Sequence, residues 1–305
     1  MIVSGEALVV IMSDQSVQKL FLVLAQDCNS VIACRMSPKQ KSDLVYFMKQ
    51  ADTSKHLLAV GDGANDVSMI TKADVGVGIS GMEGSQAVSA SDYSISEFQQ
   101  LSTLLLVHGR ECYRRNSYLI TYNFYKNLIY SMPLILVSLV SGWSSQTIYD
   151  IYMLQIYNLT FTCFPIMIFA VYDFEFSKTE LLENPRLYRK GLQENYLSWS
   201  KYFGMFTESI AHGFVIFVLA YYLFDMALAA SGHTSDIRSD GNMCYMAVVF
   251  AVTLKLLMDS YSINVFVVIG VILSVGSYFG IVAIMSLFPQ LDIFAQMEEM
   301  VVFNQ

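Results

Sequence analysis

Five long apolar runs in the second half of the chain limit what it can fold into. They cover residues 118–143, 151–172, 202–226, 243–258 and 263–288. A run of roughly 20 apolar residues is long enough for a helix to cross a bilayer, and a helix satisfies its backbone hydrogen bonds internally, as lipid requires. The sequence therefore predicts an α-helical transmembrane bundle of about five helices. A content of 54% hydrophobic residues is also too high for an ordinary soluble domain.

The distribution of charge indicates which segments face the cytosol. Arg110, Arg114 and Arg115 precede the first run, and residues 173–201 carry five lysine or arginine residues between the second and third runs. Because cytoplasmic loops are rich in Lys and Arg, we expect both segments to be cytosolic and residues 289–305 to be an exoplasmic tail or a truncated end. The formal net charge of −8 argues against a nucleic-acid partner.

Residues 1–96 show a different pattern, in which short apolar runs alternate with segments of helical spacing. Strands are predicted at residues 7–12, 31–34, 57–60 and 75–79, with helices beginning near Asp14 and Pro38. Alternating strands and helices form βαβ units with a mostly parallel sheet, so the predicted fold class of this part is α/β and Rossmann-like. Residues 97–117 are predicted to form a stalk helix that leads into the membrane.

The segment Gly61-Asp62-Gly63 follows the third predicted strand and precedes a helix that begins near Ala64. Glycines at such a junction let the backbone approach a phosphate group, and parallel sheets bind ligands at the carboxyl ends of their strands. Asp62 and Asp66 add two carboxylates within one turn, a combination that suits Mg²⁺. A tight turn without a ligand is the alternative.

Lys41 lies in the first turn of a predicted helix that Ser37 caps, with Pro38 at its first position and Gln40 completing a capping box. A cation at this end of a helix interacts unfavourably with the helix dipole. Two interpretations remain open. Lys41 is either a solvated surface lysine or holds a phosphoryl group together with the helix N-terminus.

Lys126 is an ionisable residue inside the first apolar run. Helical spacing places it on one face with Asn123, Asn127 and Tyr130. A charge inside a membrane span is costly and by default indicates a function. The alternative is that the side chain extends to the nearby interface.

The second apolar run contains Pro165, which cannot donate a hydrogen bond to the carbonyl group of Phe161. Asn158 and Thr162 share a predicted helix face with Pro165, so we expect the free carbonyl group near Asn158. A helix kink without a further role is the alternative.

Several strings in the chain together resemble one protein family. They are GDGANDVSMI with ADVGVGISG after it, CRMSPKQK, YNFYKN, YNLTFTCFP and NPRLYRKGL. They resemble the type IV P-type ATPases, the phospholipid flippases, over nearly the whole chain. The resemblance implies that residues 1–96 are the C-terminal part of a haloacid-dehalogenase-like phosphorylation domain. It also implies ATP-driven movement of aminophospholipid from the exoplasmic to the cytosolic leaflet through an aspartyl-phosphate cycle.

The resemblance further implies roles for individual residues, with ATP as substrate and Mg²⁺ as cofactor. The implied metal ligands are Asp62 and Asp66, and the implied hinge loop contains Gly61 and Gly63. The implied nucleotide or phosphoryl contacts are Arg35, Lys41, Asn65 and Asp66. The implied lipid pathway contains Lys126, Asn127 and Asn158. The implied partners are phosphatidylserine or phosphatidylethanolamine and a two-span accessory subunit. The implied location is the plasma membrane or the Golgi and endosomal membranes.

The chain departs from the family pattern in what it lacks. Neither a DKTG string with the phosphorylated aspartate nor a TGE-type actuator loop occurs in the sequence. We therefore expect a C-terminal piece that begins inside the phosphorylation domain and stops one span short of the family pattern. Such a piece, taken alone, is expected to be inactive as an ATPase.

Three alternatives remain. A P-type cation pump requires carboxylates in the middle of its spans, whereas Asp150 and Asp173 bracket the second run. A catalytically inactive, truncated membrane protein is consistent with the missing aspartate. A soluble phosphatase with the glycine–aspartate motif is opposed by the apolar runs.

Overall fold

The computed structural model of the protein describes residues 1–81, 85–144, 147–193, 196–225 and 237–286. The chain divides into two compact units, Met1–Leu105 and Leu106–Gln305.

The first unit is an α/β unit with parallel strands. Its strands are β1 Ile2–Ser4, β2 Ile32–Cys34, β3 Leu58–Gly61, β4 Val75–Ile79 and β5 Tyr93–Ile95. Its helices are α1 Gly5–Ser13, α2 Gln15–Asp27, α3 Pro38–Ala51, α4 Val67–Ile70, α5 Gln86–Ser89 and α6 Gln100–Thr103. In the described residues the strands form two small sheets, β1–β2 and β3–β4–β5, and every pair is parallel. The predicted parallel pairing is confirmed.

The predicted strand at residues 7–12 is wrong, because this apolar segment belongs to α1. Ser4 caps the helix, and its hydroxyl oxygen accepts a hydrogen bond from the backbone N–H of Ala7 at 3.2 Å. The strand lies just before it, in β1. A short apolar run is compatible with a buried strand or a helix, and the cap at Ser4 decides between them.

The predicted start of α3 is confirmed in detail. The hydroxyl oxygen of Ser37 accepts from the backbone N–H of Gln40 at 3.3 Å, and Oε1 of Gln40 accepts from the N–H of Ser37 at 2.8 Å. Pro38 is the first residue of the helix. The amide group of Gln40 also donates to the carbonyl oxygen of Gly5 at 2.8 Å, which fixes α3 against the start of α1.

The second unit is helical in its described parts. Its helices are α7 Arg110–Val140, α8 Ile151–Ile156, α9 Cys163–Tyr172, α10 Lys178–Glu183, α11 Arg186–Gln193, α12 Trp199–Asp225, α13 Ile237–Asp259 and α14 Val265–Ser286. Two π-helical segments, Leu104–Gly109 and Tyr157–Phe161, precede α7 and α9.

Four helical segments of the described residues are long and apolar enough to cross a membrane. They are Tyr152–Tyr172, Trp199–Tyr221, Asp240–Asp259 and Val265–Ile284. They correspond to four of the five predicted runs. The remaining run, residues 118–143, falls on α7, which is not among the four segments and carries polar residues near its centre. The assignment of this run to the membrane stays a prediction. Residue 226, residues 287–288 and the predicted tail at 289–305 lie outside the described residues.

Buried tyrosines form much of the core of the second unit. Tyr122, Tyr125, Tyr157 and Tyr245 are each at most 1% exposed. The hydroxyl groups of three of them donate to backbone carbonyl oxygens: Tyr122 to Val252 at 3.2 Å, Tyr157 to Lys126 at 2.8 Å and Tyr245 to Met153 at 2.9 Å. The hydroxyl group of Tyr125 is hydrogen-bonded to Nδ1 of His212 at 2.8 Å. A buried tyrosine usually finds such a partner, and here the partners connect different helices.

A buried ionic network lies at the start of α7. Nη1 of Arg114 is 2.8 Å from Oδ2 of Asp173, and Nη2 is 2.9 Å from Oε2 of Glu111. Arg110 joins Glu111 at 2.5 Å and Glu175 at 2.6 Å. Arg110 and Arg114 therefore bind internal acids at the segment where the sequence predicts a positive cluster facing the cytosol.

Asp173 extends this network to another loop. Its side chain is fully buried, and its Oδ1 accepts from the backbone N–H groups of Tyr261 and Ser262 at 2.9 and 3.0 Å. The end of α9 is thereby fixed to the connection between α13 and α14.

Candidate functional site

The glycine–aspartate loop lies at the carboxyl end of β3. Gly61 ends the strand, a 3₁₀ turn follows at Ala64–Asp66, and α4 begins at Val67. A Cβ atom added to Gly61 would overlap the side chain of Asp66. The loop therefore needs glycine at this position to bring Asp66 back over the end of the strand.

Lys41 and Asp66 form an ion pair in the first unit. Nζ of Lys41 donates to Oδ1 of Asp66 at 2.8 Å, and the side chains are 36% and 12% exposed. The hydroxyl group of Ser68 donates to the carbonyl oxygen of Pro38 at 3.0 Å, which holds α4 beside the first turn of α3. The half-exposed Lys41 thus meets Asp66, a carboxylate of the predicted metal site, and its role in holding a phosphoryl group stays a prediction.

Asp62, Asn65 and Arg35 are exposed. Within the described ranges, their side chains make no hydrogen bond or ion pair with other protein groups. Arg35 has a left-handed backbone with a φ of 53° at the end of β2. The structure thus brings Lys41 into contact with Asp66. Asp62 and Asn65 lie in the same loop with exposed side chains. Among the described residues, Arg35 makes no hydrogen bond or ion pair with any of these four side chains.

The residues of this loop fit a magnesium ion. Mg²⁺ in phosphate-handling sites is usually held by one or two carboxylates, with waters and phosphate oxygens completing its coordination. Asp62 offers an exposed carboxylate, and the carboxylate of Asp66 lies close over Gly61. The described residues contain no group of three or more His, Cys, Asp or Glu side chains that could hold a metal ion. Two carboxylates, those of Asp62 and Asp66, are therefore the anionic groups that this loop offers to a magnesium ion.

A second polar site lies inside the helical unit, at Lys126. Lys126 is only 6% exposed, and its Nζ donates to Oγ1 of Thr162 at 3.1 Å. Thr162 is 1% exposed. The ammonium group is therefore held within the unit rather than extended towards its surface.

The hydrogen-bonding capacity of this site is not filled by the described residues. A lysine ammonium group carries three donors, and the described part of the chain supplies one acceptor, Thr162. The hydroxyl group of Tyr130, one turn further along α7, is buried without a hydrogen-bond partner among the described residues. Such groups can bind an acceptor beyond those that the described residues provide.

Asn127 and Asn158 are exposed, in contrast to Lys126. No hydrogen bond joins either asparagine side chain to Lys126 in the described structure. The prediction that Asn158, Thr162 and Pro165 share one face stays a prediction. The backbone N–H of Thr162 bonds to the carbonyl oxygen of Tyr157 at 3.2 Å within a π-helical segment, and Asn158 is exposed whereas Thr162 and Pro165 are buried.

The carbonyl group of Phe161, which the sequence predicts to be a free acceptor near Asn158, has a partner in another helix. It accepts a hydrogen bond from the hydroxyl group of Ser274 in α14. Ser274 was missed, although a serine within an apolar run is a signal for an interhelical hydrogen bond.

The two acids that bracket the second predicted span are occupied elsewhere. Asp150 caps α8 by accepting from the N–H of Tyr152 at 2.7 Å. Asp173 pairs with Arg114. No ion pair joins Lys126 to an acid in the described residues.

Comparison with known proteins assigns the sequence to a family. Residues 88–305 match the family model described as phospholipid-translocating P-type ATPase C-terminal. This match covers well over half of the chain.

Curated relatives agree with the family match. The chain is 37% identical over 290 residues to "Probable phospholipid-transporting ATPase 5" of Arabidopsis thaliana, covering 95% of this chain and 24% of the relative. It is 36% identical over 284 residues to "Phospholipid-transporting ATPase IH" of Mus musculus, covering 90% and 24%. It is 40% identical over 281 residues to "Phospholipid-transporting ATPase VD" of Homo sapiens, covering 90% and 19%.

The chain thus spans less than a quarter of the length of these relatives. Its predicted resemblance is confirmed by both comparisons. This chain belongs to the phospholipid-translocating P-type ATPase family and corresponds to its C-terminal region.

Proposed function

We propose that this chain forms the C-terminal part of an ATP-driven phospholipid flippase. The complete protein would move aminophospholipid from the exoplasmic to the cytosolic leaflet through an aspartyl-phosphate cycle. In this proposal the first unit is part of a haloacid-dehalogenase-like phosphorylation domain, and the helices of the second unit belong to the transport path. Family membership and the names of the relatives support this class of activity.

The buried amine of Lys126 is the observation that carries the proposal. It has one acceptor, Thr162, and no acid bound to it among the described residues. A transported cation would need anionic oxygen ligands, whereas a buried ammonium group is suited to a phosphate or carboxylate of a lipid headgroup. A lipid therefore agrees better with this site than a cation does.

The first unit would serve ATP and Mg²⁺. Asp62 and Asp66 would hold the ion, which supplies positive charge to phosphoryl oxygens when it is bound. Lys41 would orient the carboxylate of Asp66 through their ion pair and add a second cation beside it. Asn65 and Arg35, both exposed, would contact the phosphoryl group or the nucleotide, and Gly61 and Gly63 would let the loop pass close to it.

Lys126, Asn127 and Asn158 would line the lipid pathway. Asn127 and Asn158 are exposed and so accessible to a headgroup, or to parts of a longer protein that pack there. Phosphatidylserine or phosphatidylethanolamine would be the cargo, as the resemblance to the flippases implies. A two-span accessory subunit would be the partner, in the plasma membrane or in Golgi or endosomal membranes.

ATP hydrolysis by the full-length protein tests this proposal. We expect stimulation by phosphatidylserine or phosphatidylethanolamine in mixed micelles, and none by Na⁺, K⁺ or Ca²⁺ beyond the Mg²⁺ requirement. Phosphatidylcholine serves as the matched lipid control. Stimulation by a cation without any dependence on lipid would contradict the proposal and favour a cation pump.

A further inference from the structure

The peptide group between Phe161 and Thr162 lies at a break in the helical hydrogen-bond pattern. Pro165 has no N–H to donate to the carbonyl oxygen of Phe161. Phe161 is fully buried and lies within the candidate span Tyr152–Tyr172. An unpaired carbonyl group in such surroundings is costly, so its partner has to come from outside the helix.

Ser274 of α14 supplies that partner. Its hydroxyl group donates to the carbonyl oxygen of Phe161, and its side chain is fully buried. Oγ1 of Thr253 on α13 lies 3.5 Å from Oγ of Ser274. The nearby Ser277, by contrast, donates within its own helix to the carbonyl oxygen of Ser274 at 2.8 Å.

A glycine one turn before Ser274 permits the close approach of the two helices. A Cβ atom on Gly270 would lie 2.6 Å from Cδ1 of Ile168 and 3.5 Å from Cα of Pro165. The face of α14 that carries Gly270 and Ser274 therefore packs against the proline-containing start of α9, next to the carbonyl group of Phe161.

The N–H of the same peptide group belongs to Thr162, whose side chain is hydrogen-bonded to Lys126. The N–H of Thr162 bonds to the carbonyl oxygen of Tyr157 at 3.2 Å, and Oγ1 of Thr162 donates to the same oxygen at 3.1 Å. Oγ1 of Thr162 also accepts the hydrogen bond from Nζ of Lys126 at 3.1 Å. Because a peptide group is planar, the bond from Ser274 to its C=O also restrains its N–H and the Thr162 residue that follows.

We propose that Ser274 is a positioning residue for the Lys126 site. Its hydroxyl group fixes the π-helical turn that presents Thr162 to the amine, so it sets where the amine can meet a lipid headgroup. This inference rests on the proposed function insofar as it assigns the headgroup to Lys126. The positioning itself is a property of the helices.

The lipid dependence of ATP hydrolysis by the full-length protein is the first test. We expect Ser274→Ala to raise the half-saturating lipid concentration by about threefold to tenfold, with the maximal rate and phosphoenzyme formation from ATP kept. Ser277→Ala is the matched control and should leave the lipid dependence unchanged. Ser274→Cys keeps the volume and a weaker donor, so its effect should be intermediate, and it replaces Ser274→Ala if that variant does not fold.

A double mutant distinguishes positioning from a general loss of packing. If Ser274 acts through Thr162, then Ser274→Ala adds nothing to the effect of Thr162→Val. Multiplication of the two separate effects would overturn the proposal, as would identical lipid dependence of Ser274→Ala and Ser277→Ala.

Amide hydrogen exchange of the peptide covering residues 157–166 gives a readout that does not need transport. We expect faster exchange in Ser274→Ala than in wild type or Ser277→Ala. Equal exchange in all three proteins overturns the positioning role. If the wild-type protein shows no lipid-stimulated hydrolysis, the proposed function fails, and the exchange rates alone still decide whether Ser274 holds the turn.

Discussion

Nζ of Lys41 lies 2.8 Å from Oδ1 of Asp66, although the two residues are 25 positions apart in the chain. The ion pair joins the first turn of α3 to the loop after β3. A second pair on the same helix, Lys49 with Asp74 at 2.5 Å, has similar chemistry but lies at the other end of α3. The two pairs therefore form a matched set for mutagenesis.

We predict that Lys41→Met slows phosphoenzyme turnover of the full-length protein by roughly 100-fold. The physical reason is the loss of a cation that orients Asp66 and balances phosphoryl charge. Lys49→Met removes the same charge from the same helix and should leave turnover within about twofold. Equal effects of the two substitutions would show that Lys41 has only a structural role.

A second prediction concerns the exposed carboxylate of Asp62. Asp62→Asn keeps the size of the side chain but removes an anionic ligand, so we expect Mg²⁺-dependent turnover to fall by more than about 100-fold. A titration with Mg²⁺ measures the effect. Asp52→Asn, which removes a surface carboxylate paired with Lys55, is the control. Wild-type Mg²⁺ dependence in Asp62→Asn would remove this residue from the metal site.

The buried network around Arg114 makes a prediction about stability. Arg114→Met leaves Asp173 buried without its cation, which costs about 3–5 kcal/mol, while Glu111 keeps its ion pair with Arg110. Thermal unfolding in detergent should show a lower midpoint. Arg115→Met is the control, since Arg115 donates to the backbone carbonyl oxygens of Val171 and Glu111. A midpoint that falls no further for Arg114→Met than for Arg115→Met would contradict this account of the network.

The exposed asparagines make a prediction that separates lipid contact from stability. Asn158→Ala should change the free energy of unfolding by no more than about 0.5 kcal/mol, because the side chain is exposed and bonds to no described residue. It should nevertheless alter the preference between phosphatidylserine and phosphatidylethanolamine. Gln155 on α8 is also exposed, and Gln155→Ala should leave that lipid preference unchanged. The same lipid preference in both variants would remove Asn158 from the lipid pathway.

Local signals made parts of this structure predictable. The capping box at Ser37 uses contacts within three residues, so the start of α3 follows from the sequence. Val75–Ile79 was predicted as a strand with its observed bounds. The strand prediction for residues 7–12 was wrong because a short apolar run is compatible with both a strand and a helix. The contact that decides for the helix is the cap at Ser4.

Features that depend on distant residues were not predictable. Regular helical spacing gives no indication of the π-helical segment Tyr157–Phe161 or of the hydrogen bond to the carbonyl oxygen of Phe161 from Ser274, which is over 100 residues away. The pairing of Lys41 with Asp66 also arises from tertiary folding and not from helix position. Lys126, in contrast, draws attention as one charge in an apolar run, because lipid makes such a charge costly; its role in lipid handling stays a prediction.

The central claim is that the buried amine of Lys126 serves a lipid and not a cation. Its most direct test is the lipid-stimulated decay of the phosphoenzyme in the full-length protein with Lys126→Met. We predict that phosphorylation by ATP persists while the lipid concentration for half-maximal decay rises between about tenfold and 100-fold. Ser131→Ala on the same helix should behave as wild type. An unchanged lipid dependence in Lys126→Met would contradict the account.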